Sequence, residues 1–152
     1  MDSPALNAAL HLLKFRVRSC KELKNRLNQK GFTHSEIKET LEYLKDLGYV
    51  NDKEFAFLFV KDKIKQKGAG PIYLKTELLK HNIPDELIRE AMSLGYSKYS
   101  QDELITNHIV KRKNILTDEN ILTQKRKIIQ FLQRKGFTWE QISPQLNKTF
   151  PD

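Results

Sequence analysis

The sequence predicts an all-α chain of three tandem three-helix repeats, each of about fifty residues, forming an elongated modular array. Three observations carry that reading. The series Leu23, Leu27, Gly31, Phe32, Thr33, Ile37, Leu41 returns 51 residues later as Leu74, Leu78, Asn82, Ile83, Pro84, Ile88, Met92. It returns after a further 54 as Ile128, Leu132, Gly136, Phe137, Thr138, Ile142, Leu146. In every copy an apolar pair at i,i+4, one helical face, runs into a residue that takes the left-handed conformation cheaply. Period-two alternation with turn signals, the mark of strands, is absent.

Taken in order, Ser3-Pro4 reads as an N-cap with proline in the first helical position, leading into Leu6, Ala9, Leu10 and Leu13. Ser19 opens the next helix, which carries Leu23 and Leu27 to the turn at Gly31. Thr33 and Glu36 form a capping box, and Phe32 faces Ile37 as a hydrophobic staple. Gly48-Tyr49 closes the first unit.

Asn51 to Glu54 starts the second, whose run Phe55-Ala56-Phe57-Leu58-Phe59-Val60 is apolar around the whole helix and calls for cover on several sides. Gly68-Ala69-Gly70-Pro71 ends that helix and starts the one with Leu74 and Leu78. The staple persists as Ile83 and Ile88, but Pro84 replaces the capping threonine. Gly95-Tyr96, 47 residues after Gly48-Tyr49, reads as the close of a final helix shorter by four residues than its counterpart.

Ser100 to Glu103 opens the third unit, which repeats the pair as Ile128 and Leu132, the turn as Gly136 and the capping box as Thr138 and Gln141. Trp139 reads as a packing residue at that helix start, with a partner anchor as the alternative. The units are 1–50, 51–98 and 99–152. Fifty residues are marginal alone. The expectation is therefore one continuous body whose apolar middle unit is buried from both sides, with the basic end units free for contact.

The 27 basic and 19 acidic side chains leave a net charge of +8, spread evenly over the three units. Such a body favours polyanions or an acidic protein surface. Cys20 is the single cysteine, which excludes an internal disulfide and a thiolate metal cluster and suits a reducing cytosol. Its spacing to Leu23 and Leu27 places it on the apolar face rather than in a reactive role.

The first residues, Met1 to Leu6, lack the basic start of a secretory leader, and no apolar run reaches the roughly 18 residues of a membrane span. A cytoplasmic monomer without membrane contact is expected. The chain stops at Phe150-Pro151-Asp152, just after its last recognisable helix, as a truncated sequence would.

His11, His34, His81 and His108 are far apart in sequence and fit solvated or capping roles better than metal ligation. Gly68-Ala69-Gly70-Pro71 lacks the pattern of a phosphate-binding loop, and no acid pair or nucleophile triad stands out. The expectation is a binding protein, not an enzyme, with no cofactor.

The candidate contacts are the basic clusters near helix ends. They comprise Arg16, Arg18, Lys21 and Lys24; then Lys61, Lys65 and Lys67 beside Lys63; then Lys111, Arg112, Lys113 and Lys125, Arg126, Lys127. At 100° per residue no single stripe uses them all. Three-helix units also resemble helix-turn-helix folds, so a stand-alone nucleic-acid-binding repeat protein remains open. A protein-only scaffold working through the unit junctions is the third possibility.

Several stretches together resemble the RecX family, bacterial regulators of the RecA-type recombinase. They are Ser19-Cys20-Lys21-Glu22-Leu23 with Lys30-Gly31-Phe32, the junction Gly48-Tyr49-Val50-Asn51-Asp52 with Phe55-Ala56, and Lys67-Gly68-Ala69-Gly70-Pro71 with Ile72, Leu74, Glu77-Leu78 and Ile83. The third unit matches only through its helix pair, and lysine stands at 30 and 67 where many relatives carry arginine. The resemblance implies a protein that binds the recombinase filament on single- or double-stranded DNA and restrains its ATP hydrolysis, strand exchange and co-protease activity.

Overall fold

The computed structural model describes residues 3–151. Met1, Asp2 and Asp152, on which the readings of the two chain ends partly rest, lie outside the described residues. Among the described residues nine helices follow one another: α1 (Pro4–Phe15), α2 (Cys20–Gln29), α3 (His34–Asp46), α4 (Asp52–Lys67), α5 (Pro71–Lys80), α6 (Asp85–Lys98), α7 (Gln101–Ile115), α8 (Ile121–Lys135) and α9 (Trp139–Thr149). No strand occurs among the described residues.

Local chemistry accounts for most boundaries. Ser3, Ser19, Thr33, Asn51, Ser100, Asn120 and Thr138 each accept a backbone N–H of the first turn that would otherwise lack a partner. Both capping boxes close, at Thr33 with Glu36 and at Thr138 with Gln141. Pro84 begins α6 without a side-chain cap. Asp85 and Glu86 stand there in its first turn, where the helix dipole favours anions. The repeated turn residue is left-handed in all three copies, at Gly31 (φ 90°), Asn82 (φ 57°) and Gly136 (φ 102°).

Each group of three helices closes its own core. Leu23, Leu27, Ile37, Leu41 and Leu44 join Leu6, Ala9, Leu12 and Val50 in the first. Leu74, Leu78, Ile83, Ile88 and Ala91 join Phe55, Val60 and Ile64 in the second. Ile105, Ile109, Ile128, Leu132, Phe137, Ile142 and Leu146 form the third. The repeated pairs are fully buried in every copy, each side chain contributing about 1.5–3 kcal/mol.

This corrects the expectation that the apolar middle unit is buried from both sides. The three clusters are separate, and Leu104 is the side chain packed against both the second and the third. The apolar run of α4 is covered mainly from inside its own repeat, by α6 and by the His81 ring, whose centroid lies 4.8 Å from that of Phe55 and 6.2 Å from that of Phe59.

A second correction concerns Gly95-Tyr96, which lies inside α6 instead of closing it. The helix has 14 residues against 13 in α3, so it is not shortened. Gly95 is buried against α4, where a Cβ would stand 2.6 Å from Val60 Cγ1 and 2.9 Å from Ile64 Cδ1. Glycine serves close helix packing there, whereas Gly48, with φ 80°, makes a true turn. Trp139 is a third: it is 49% exposed and does not pack into the core.

Candidate polyanion interface

The repeats are joined by polar and backbone contacts. Between the first and second, the Cys20 N–H donates to Asp52 Oδ1 (2.9 Å), and the Ser19 hydroxyl meets His81 Nδ1 (2.7 Å). Cys20 itself packs against the first core, as its spacing implies.

The second junction is built from the glycine turn. The Gly70 N–H donates to the Lys135 carbonyl (2.7 Å) and the Ile72 N–H to the Gly136 carbonyl (3.0 Å). Such an approach needs glycine on both sides. A Cβ on Gly70 would lie 2.4 Å from the Gly136 carbonyl carbon, and one on Gly136 would lie 2.5 Å from the Tyr73 nitrogen. The Tyr96 hydroxyl donates to the Ala69 carbonyl (2.8 Å), and burial pushes that phenol far above its ordinary range. His108 Nε2 reaches the Gly68 carbonyl (2.9 Å), capping the end of α4. Of the four histidines, then, two sit in junctions, while His11 and His34 are exposed.

Around this junction open two cavities of about 320 and 550 Å³ that share Lys67 and Lys135. Lys65 and Lys67 enter from α4, Lys111 and Arg112 from α7, Arg134 and Lys135 from α8. No Asp or Glu among the described residues lines either cavity. None of the six cations takes part in an ion pair among the described residues. Burial lowers the affinity of the Lys135 amine for its proton, and the positive charges of Lys67 and Arg112 lower it further. The Arg112 guanidinium lies 3.7 Å from the Phe131 ring centroid, with Lys135 Nζ at 5.5 Å.

Of the cations named from sequence, the fold therefore gathers Lys65, Lys67, Lys111 and Arg112. It disperses or occupies the rest. Arg16 and Arg18 are both paired with Glu22, at 2.7 Å for Arg18, whose Nε also donates to the Leu12 carbonyl at the end of α1. Lys127 is paired with Glu119 (2.8 Å), and Lys113 and Lys125 lie over the Phe150 ring. Lys24, Lys61 and Arg126 are exposed elsewhere, and Lys21 is half-buried.

Sequence reasoning missed Arg134 and Lys135. A signal was present in Lys135-Gly136-Phe137, which repeats Lys30-Gly31-Phe32. No group of three or more His, Cys, Asp or Glu able to hold a metal ion occurs among the described residues, and no helix is long and apolar enough to cross a membrane.

Comparison with known proteins agrees with this architecture repeat by repeat. Residues 5–44 match the first three-helix domain of RecX, 51–92 the second and 100–144 the third. The regulatory protein RecX of Bacillus licheniformis is 40% identical over 144 residues, and that of Bacillus subtilis is 35% identical over the same length. Each match takes in 93% of this chain and 53% of the relative, so the chain spans about half the length of these curated relatives. The crystal structure of RecX from Lactobacillus salivarius superposes with a TM-score of 0.81 at 28% identity, covering 95% of this chain and 93% of that one. With all three of its repeats matched in order, the chain belongs to the RecX family.

Proposed function

We propose that this chain is a cytoplasmic, monomeric regulator that binds a RecA-type recombinase filament assembled on DNA and restrains its ATP hydrolysis, strand exchange and co-protease activity. It acts by binding and not by catalysis, with the units 1–50, 51–98 and 99–152 as its modules. The observation that carries the reading is the match of all three repeats to a family whose curated members are named regulatory proteins. Net charge of +8 and a junction whose two cavities are lined by cations and by no acid of the described residues give it a means of approaching DNA phosphates. Several modules in one chain let weak contacts add along a filament.

Co-sedimentation tests this against the alternatives. Filaments assembled with nucleotide on long single-stranded DNA are expected to carry the protein down, while recombinase without DNA, or DNA without recombinase at the same salt, carries down much less. Equal sedimentation with DNA alone would favour a plain nucleic-acid-binding protein. Equal binding to recombinase without DNA would favour a protein-only scaffold.

A further inference from the structure

Six cations meet at the second junction. Five of them, Lys65, Lys67, Arg112, Arg134 and Lys135, have a local reason to be near a helix end, since a positive side chain in the last turn stabilises its own helix. That reason does not make them face one another. Lys65 and Lys67 on α4 share two cavities with Lys111 and Arg112 on α7 and with Arg134 and Lys135 on α8. Bringing like charges together opposes folding, and nothing acidic in the lining offsets it. A multivalent anion would.

We propose that the cleft between the second and third repeats holds one phosphodiester strand, and that a bound strand locks the two repeats together. The inference rests on the nucleic-acid half of the function proposed above. The cavities, about 320 and 550 Å³, admit the phosphates and sugars of a single strand, whereas a duplex would rest on the rim. Recognition is of the backbone and so independent of sequence. The Phe131 ring in the lining already carries Arg112, with Lys135 beside it.

The coupling follows from where the charges are mounted. The backbone of Lys135 accepts the Gly70 N–H that ties the repeats, while its side chain lines the cleft. A strand touching Lys67 on one side and Lys135 on the other binds the joined arrangement better than the parted one, and by that difference stabilises it. Successive phosphates are also offered by inorganic polyphosphate, so the test must tell the two apart.

The test uses the full chain and a fluorescent oligo-dT, read by anisotropy, with two variants matched in charge. The first, K65Q/K67Q/K111Q, removes three exposed cleft lysines. The second, K38Q/K45Q/K75Q, removes three exposed lysines that line neither cavity. Melting temperature and helical circular dichroism confirm that each variant folds. The cleft variant is expected to bind at least tenfold more weakly, with its salt slope smaller by about 2, since each lost single-strand phosphate contact removes about 0.7. The matched variant is expected to change less than threefold. Amide exchange at Gly70 and Ile72 should slow when the oligonucleotide binds the native chain, but not the cleft variant.

Equal losses in the two variants would overturn the proposal, as would duplex bound as tightly as single strand. So would polyphosphate bound in the cleft without competition from oligo-dT. Inhibition of recombinase ATP hydrolysis, followed on the same preparations, separates the two levels. Inhibition without cleft-dependent strand binding removes only this inference, and strand binding without inhibition removes only the regulatory function.

Discussion

At His108 the ring nitrogen Nε2 donates to the Gly68 carbonyl across the second junction. Burial holds this imidazole below its ordinary value of 6.5; the hydrogen bond works against that, and the charges of Lys135, Lys111 and Arg112 add to it. The unfolded chain therefore takes up a proton at a higher pH than the folded one. Stability gained from a neutral His108 is present above pH 6.5 and is lost as pH falls below it. Thermal melts between about pH 8 and about pH 5 are expected to show that fall in the native chain and a flatter profile in His108→Gln. A curve unchanged by the substitution would place the pH dependence elsewhere. Thr40 in α3 is fully buried, and its hydroxyl has no hydrogen-bond partner among the described residues. Replacing that hydroxyl with a methyl group removes the desolvation cost, so Thr40→Val should raise the unfolding free energy by about 1 kcal/mol. Neither feature is legible in the sequence, because burial and partner are properties of distant chain. Glu22 shows the same limit. It neutralises Arg16 and Arg18, so a cluster that reads as a free basic patch in sequence is consumed locally in the fold.

Helix ends divide what sequence shows from what it hides. The left-handed turns at Gly31, Asn82 and Gly136, the caps at Ser3, Asn51 and Ser100, and both capping boxes are contacts within a few residues, so residue type and spacing reveal them. Gly95 is different, since the same residue type serves a turn at 48 and a helix contact at 95, and only the position of Val60 and Ile64 tells them apart. Likewise the turn 68–71 reads as the end of one helix and the start of another. Its larger role, pairing with Lys135 and Gly136 some 65 residues away, has no local signature. Gly70→Ala tests that role. The added methyl meets backbone atoms that cannot turn aside, so a cost of about 1–3 kcal/mol is expected. It should appear as faster amide exchange at Gly70 and Ile72, with the cores of the flanking repeats still protected. Unchanged exchange there would show that the junction tolerates separation at no cost.

Over the whole molecule the repeat architecture was readable because a motif used three times is its own control, and three cores answer to it. What was not readable is how charge is shared between repeats. The apolar middle unit suggested contact through the two basic end units, whereas six cations without an ion pair among the described residues gather where the second unit meets the third. Separate cores also mean separable stabilities. Leu132→Ala should cost about 2–5 kcal/mol within the third repeat, while exchange protection at Leu23 and Leu27 in the first stays as it was. Uniform loss of protection across all three repeats would show instead that they unfold as one. Under the proposed function, the cleft and its junction would be where the chain meets the DNA of a filament, and the repeats would set the length over which it does so. The most direct measurement is ATP hydrolysis by the recombinase on single-stranded DNA as this protein is titrated in at low and at physiological salt. Hydrolysis is expected to fall in a graded, saturable way, and less steeply at higher salt. Undiminished hydrolysis at low salt and at every ratio of the two proteins would contradict the account.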